Sequence, residues 1–151
     1  MIRAITAKDK TTILKYAPLF WEEIKGKELA GDLNLLSLSS FLDSCFKSDC
    51  LVGWIHEENN EACGAILFIL TTDIFTNKSI LKEVFWFIIP EKRKSPITYR
   101  LIKKAEGYAK ENEIQLISMM HMAHPNPDRL KDFYLKIDYT FVQSEYFKKI
   151  S

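Results

Sequence analysis

Residues able to do chemistry cluster at a few places in the chain. Lys92-Arg93-Lys94, followed by Arg100, Lys103 and Lys104, is the one local concentration of positive charge. Such a run either meets anions or forms a solvated helix face. Nucleic acid is a poor third reading, because no aromatic side chains interleave with the charges to stack bases. Glu83 heads the apolar run Val84–Ile89, where partial burial would raise its pKa towards neutrality. His121 and His124 stand three apart and could relay a proton or meet a substrate. No third ligand lies nearby, so no metal site is expected. Glu22 and Glu23 follow Phe20-Trp21, an arrangement that suits a cation or simply ends a helix in solvent. Cys45, Cys50 and Cys63 are odd in number and lack a CxxC spacing, which argues against a disulfide framework and against zinc.

These groups need a scaffold, and the chain is long enough for one. Its 151 residues match one ordinary domain, expected over 1–151. With 47% apolar and 13% aromatic residues it can bury a core without staples. The 21 basic and 20 acidic residues nearly cancel, so there is no general electrostatic case for nucleic acid or a membrane surface. The N-terminus lacks an apolar leader, and the runs Ala65–Leu70 and Val84–Ile89 are too short to cross a bilayer. They suit buried strands, and a cytoplasmic protein is expected.

Periodicity predicts a strand over Ile2–Ile5. Thr6 and Asp9 form a near capping box opening a helix over Lys8–Lys25, which Pro18 kinks or shortens. Gly26–Leu36 reads as a loop, and Ser39 as the cap of a helix to Lys47. Leu51–His56 and Cys63–Thr71 form a hairpin, and Lys82–Ile89 a third internal strand. After a basic turn over Pro90–Pro96, Ile97–Asn112 is helical, with Leu101, Ile102, Ala105 and Ala109 as its apolar stripe. Ile114–Met120 is a strand, Asp128 caps a helix to Lys136, and Thr140–Lys148 closes the chain as a strand. Hairpins followed by a strand-helix-strand crossover predict an α/β (α+β) fold: one mixed, mostly antiparallel sheet with helices on both faces.

Four segments carry a resemblance to a known superfamily. Trp54–Phe68, WIHEENNEACGAILF, looks like its second and third strands. Glu83–Glu91, EVFWFIIPE, looks like its fourth strand ending at Pro-Glu. Arg93–Thr98, RKSPIT, sits where the family carries an R/Q-x-x-G-x-G/A loop. Phe133–Tyr139, FYLKIDY, sits where it often reads LYEKLGF. In order and spacing the chain resembles the GNAT acyl-CoA N-acyltransferases, and its Glu-Tyr-Phe-Lys-Lys tail resembles bacteriophage-encoded members.

The resemblance implies acetyl transfer from acetyl-CoA to a primary amine, with no covalent intermediate and no metal. The acceptor would be a small molecule or a protein amine. It assigns the cofactor to Ile88 and Ile89 on the splayed fourth strand, to Arg93, Lys94, Ser95, Ile97 and Thr98 in the loop, and more weakly to Asn126. It implies Glu83 as general base, since an ammonium has no lone pair with which to attack. Tyr134 would protonate the leaving thiolate. Trp21, Glu22 and His121 would line the acceptor side. Two departures stand out: Pro96 and Thr98 replace the loop glycines, and proline offers no N–H to a phosphate. They keep open a second reading, a GNAT-like module without catalysis, a phage protein that acts on host machinery or within a virion. A monomer or a homodimer joined through the terminal strand is expected.

Overall fold

The computed structural model describes residues 1–150. Its framework is a five-stranded sheet of order β1-β2-β3-β4-β5. The strands are β1 (Ile2–Ala4), β2 (Leu51–Glu58), β3 (Glu61–Thr72), β4 (Ser79–Ile88) and β5 (Leu116–Ser118). Successive pairs from β1 to β4 are antiparallel, and β5 joins β4 in parallel. A parallel return requires a crossover, supplied by the helix α4 (Ile97–Glu111), as the expected strand-helix-strand unit demands.

The sheet separates two cores. On one face the inward residues of the central strands, Trp54, Ile66 and Phe68, pack with Ile97, Leu101, Ile102 and Ala105 of α4 and with Tyr134 of α5 (Pro127–Lys136). On the other, Ile55, Ala65, Leu67, Phe85 and Phe87 meet Ile13 and Tyr16 of α1 (Lys10–Glu23) and Leu42 and Cys45 of α3 (Leu35–Lys47). Alternate residues of each central strand thus serve opposite layers, which is why β2 and β3 read as unbroken apolar runs.

The helix ends depart from expectation in instructive ways. Thr6 and Asp9 do form the capping box, over a short 3-10 turn that leads into α1. Pro18 neither ends nor shortens α1; it is exposed, and the helix continues to Glu23. The predicted loop after it contains a short helix, α2 (Gly26–Leu29), entered through Lys25 in a left-handed conformation. α3 is capped by Asn34, whose side chain accepts from the Ser37 N–H at 2.9 Å, rather than by Ser39. Exposed Leu35 and Leu36 hid that start by breaking the one-sided pattern. α5 is capped by Asn126, with Pro127 in the first turn and Asp128 just inside it.

The predicted strand over Thr140–Lys148 does not form. Phe141, Val142, Tyr146 and Phe147 are exposed, and this stretch joins no ladder among the described residues. A strand needs a partner edge, and β5 offers only three residues instead of the seven expected. The feature on which pairing between two copies rested is therefore absent. Among the described residues no helix is long and apolar enough to cross a membrane.

Candidate functional site

β4 and β5 run side by side only where Ile80, Leu81 and Lys82 face Leu116, Ile117 and Ser118. Beyond that point they part, while β4 stays paired with β3 as far as Ile88. The edge of β4 from Glu83 to Ile88 is consequently free of strand pairing. A bulge opposite β3 falls in the same stretch: Glu83 faces Phe68, Phe85 faces Leu67, and Val84 between them has no partner. The extra residue shifts the alternation. Leu81 packs on the α4 side, and beyond the bulge Trp86 and Ile88 take that side, while Phe85 and Phe87 turn to α1 and α3. Phe87 is therefore core, and Trp86 lies on the α5 side with its ring centroid 6.3 Å from that of Tyr134.

Glu83 sits where the two strands separate and is only 5% exposed. Its Oε2 accepts a hydrogen bond from the Met120 N–H at 3.0 Å. Burial pushes its carboxyl up to about 7, against the opposing pull of that N–H. The Tyr134 hydroxyl donates to the Met120 carbonyl at 2.7 Å. Burial first, and the neighbouring Glu83 charge second, raise the phenol well above its ordinary range, so it keeps its proton. Two more polar atoms here are buried without a protein partner: Trp86 Nε1 and, beside Met120, His121 Nδ1. Unpaired buried polar atoms of this kind call for water or a ligand.

The other end of the open edge meets the basic turn. The Ile89 N–H donates to the Cys63 carbonyl of β3 at 2.9 Å, so by alternation the backbone groups of Ile88 point to the free side. The Ile88 carbonyl there accepts from Arg93 Nε at 2.8 Å. The same guanidinium pairs with Glu23 at 2.5 Å and lies 5.4 Å from the Phe87 ring centroid. Arg93 is thus turned inwards, to β4 and α1. Lys92 pairs with Glu58, leaving Lys94 exposed and unpaired among the described residues.

α4 begins just beyond. Pro96 is its N-cap residue, and no side chain caps it; the Ser95 hydroxyl donates to the Lys92 carbonyl at 2.6 Å and stands 3.5 Å from the Ile97 N–H. Ile97 itself is core. The Thr98 and Tyr99 N–H groups have no intrahelical acceptor, and they carry the positive end of the helix dipole. The rest of the basic run lies elsewhere: Arg100, Lys103 and Lys104 line a separate groove of about 540 Å³ with Trp54, Tyr99 and Tyr108 on the β1 side of α4.

The residues expected on the acceptor side are spread out. Trp21 Nε1 donates to the Gly31 carbonyl at 2.9 Å, and its ring covers Gly26, where a Cβ would come within 2.2 Å of it. Glu22 is exposed, whereas Glu23 reaches the site through Arg93. Asn126 spends its side-chain oxygen on capping α5. His121 and His124 gather no third ligand among the described residues. Two parts of the site carried no sequence signal. The Met120 backbone shows nothing in its side chain, and Glu23 lies 70 residues from Arg93.

No protein-family profile and no curated protein matches the chain. Solved structures do, and they share its fold over the full length. A ribosomal-protein-alanine N-acetyltransferase from Brucella melitensis biovar Abortus 2308 superposes with a TM-score of 0.74 at 12% identity, over 100% of this chain and 99% of that one. A predicted acetyltransferase from Clostridium acetobutylicum, solved with acetyl-CoA, gives 0.72 at 19% identity, over 100% and 95%. AAC(6')-Iy, in complex with the bisubstrate analogue CoA-S-monomethyl-acetylneamine, gives 0.74 at 11% identity, over 100% and 97%. The expected mixed sheet flanked by helices is therefore the fold that these acetyltransferase structures share.

Proposed function

We propose that the protein transfers an acetyl group from acetyl-CoA to a primary amine by direct attack. One observation carries this reading: an unpaired β4 edge runs from a buried carboxylate of near-neutral pKa, Glu83, to the uncapped N-terminus of α4. An extended chain bearing amides can add to such an edge as a strand would. A pyrophosphate suits the α4 N-terminus, where the Thr98 and Tyr99 N–H groups and Lys94 supply donors and charge. The Trp86 N–H, buried without a partner on the α5 side of β4, is a candidate donor to a carbonyl of the acetyl donor. That two of the structures sharing this fold hold acetyl-CoA or a CoA-derived analogue supports the choice of donor.

In this reading the acceptor ammonium gives a proton to the Glu83 carboxylate, directly or through a water. The free amine attacks the thioester carbon, the C–S bond breaks, and the departing thiolate takes up the second proton, which the attacking nitrogen gives up as it becomes an amide. Tyr134 holds its proton too tightly to be a strong acid at rest. Its role is first a hydrogen bond to the departing sulfur, made by turning its one O–H away from the Met120 carbonyl and strengthened once Glu83 has taken up a proton and lost the charge that raises the phenol. Calorimetry with acetyl-CoA and with coenzyme A tests the reading. Micromolar binding is expected, and no binding of either at millimolar concentration ends it.

A second reading, a module without catalysis, is favoured by Pro96 at the α4 N-cap, which removes one N–H from the turn. Micromolar acetyl-CoA binding by the wild type would take most of its force away.

A further inference from the structure

The basic turn and the acidic end of α1 meet through one side chain. Arg93 Nε occupies the Ile88 carbonyl at 2.8 Å, the last outward acceptor of the open β4 edge. Its terminal nitrogen holds Glu23 at 2.5 Å, and its guanidinium carbon lies over the ring of Phe87, 5.4 Å from the centroid, where Phe87 is buried between β4 and α1. The residue that the loop pattern assigns to phosphate instead points at the strand. A charged guanidinium held by a carboxylate, a carbonyl and an aromatic face is fixed in place.

We infer that Arg93 is a positioning residue that latches the β4 edge: a donor whose amide pairs with the Ile88 carbonyl must first displace it, and that displacement frees Glu23 on the acceptor side. The inference rests on the acetyl-CoA reading and adds regulation to the same site. An edge carbonyl cannot accept full hydrogen bonds from two donors along one direction. When Arg93 swings away, Glu23 loses its counter-charge. It is then an unpaired carboxylate beside the cleft, suited to a cationic amine. Donor and acceptor binding are thereby coupled through a single ion pair, with the donor first.

The test compares wild type, Arg93→Ala and Glu23→Gln by calorimetry with coenzyme A and with adenosine 3',5'-bisphosphate, which has phosphates but no pantetheine arm. If Arg93 is a latch, Arg93→Ala binds coenzyme A about tenfold tighter, the scale of one charge-assisted hydrogen bond that no longer has to be broken. Glu23→Gln, which loosens the latch without removing it, shows a smaller gain in the same direction. Bisphosphate binding is unchanged in both. If Arg93→Ala weakens both ligands, Arg93 is a phosphate contact and the latch is overturned, while acetyl-CoA binding stands. Equal coenzyme A affinity in all three proteins also overturns it. Binding of neither ligand to any of the three overturns the latch together with the acetyl-CoA reading. Circular dichroism of each variant confirms a folded protein. A merely structural role for Arg93 would not raise affinity.

Discussion

Glu83 and Tyr134 hold one residue from its two sides: the Glu83 carboxylate accepts from the Met120 N–H at 3.0 Å, and the Tyr134 hydroxyl donates to the Met120 carbonyl at 2.7 Å. The chain leaving β5 is thus tied down by side chains from β4 and α5 rather than by strand pairing. That is how β5 can stop at Ser118 and leave the β4 edge open. The two groups proposed for proton handling are also the two that keep the gap in shape.

If Glu83 takes the amine proton, its near-neutral pKa sets the pH profile. Acetyl transfer should rise with pH through about 7 and level off above it, as the carboxylate form becomes dominant. Glu83→Gln keeps an acceptor oxygen for the Met120 N–H but cannot take a proton. It should lower kcat/KM by roughly 10²–10⁴-fold and remove the limb near 7. Initial rates against pH for both proteins decide this. A variant with wild-type rates would exclude Glu83 as base.

The same carboxyl makes stability depend on pH, and the sign is opposite to that of a salt-bridged acid. Unfolded, Glu83 titrates near its ordinary 4.5; folded, near 7. Between these values the native state binds more protons than the unfolded chain, so stability falls as pH rises across the window. The loss is about 3 kcal/mol and is complete above it. Asp9 works the other way. The Arg3 guanidinium, at 2.8 Å, holds its carboxyl below the usual range, so the stability of that pair is present above the ordinary pKa and is lost on acidification. Urea midpoints between pH 3 and 8 should pass through a maximum in mildly acid solution. Glu83→Gln should flatten the neutral side alone, and Asp9→Asn the acid side alone.

The framework was open to sequence reasoning because apolar pattern and turn chemistry agree there. β2, β3 and β4 are continuous apolar runs, and α4 carries a clean stripe of Leu101, Ile102, Ala105 and Ala109 that ends buried as expected. The burial of Glu83 was legible for the same reason, because it stands at the head of such a run. What failed depends on partners. Thr140–Lys148 has the composition of a strand but meets only a three-residue β5 edge. Arg93 has the composition of a phosphate ligand but finds Glu23 and the Ile88 carbonyl nearer to hand. Local pattern says what a residue can do; long-range neighbours decide which of those things it does.

Tyr134→Phe removes one hydrogen bond and leaves the ring contacts with Trp86 and Tyr139 in place. Its cost in stability should be about 1 kcal/mol, the net worth of a neutral hydrogen bond. The catalytic consequence should be larger. Without the hydroxyl the departing sulfur has no donor, and the Met120 segment is held by Glu83 alone. A fall in kcat with KM for acetyl-CoA nearly unchanged is expected from steady-state kinetics. A change confined to KM would instead make Tyr134 a cofactor contact.

The turn before α4 is where cofactor affinity should be easiest to raise. Pro96 supplies no N–H at the N-cap, and Thr98 places a β-carbon in the first turn, where backbone must approach the phosphates. Pro96→Gly with Thr98→Ala restores the donor and clears the approach, while Ser95 still braces the turn through the Lys92 carbonyl. Glycine at this position widens the unfolded ensemble, so the double variant should lose about 0.5–1 kcal/mol of stability. Against that loss, one further backbone N–H to a phosphate is a hydrogen bond to a charged group, worth about 1.5–3 kcal/mol. Coenzyme A affinity should therefore rise by about tenfold or more even as the melting temperature drops by a few degrees. Calorimetry and thermal melts on the same preparation check both halves. Unchanged affinity would mean that the phosphates do not rest on this turn.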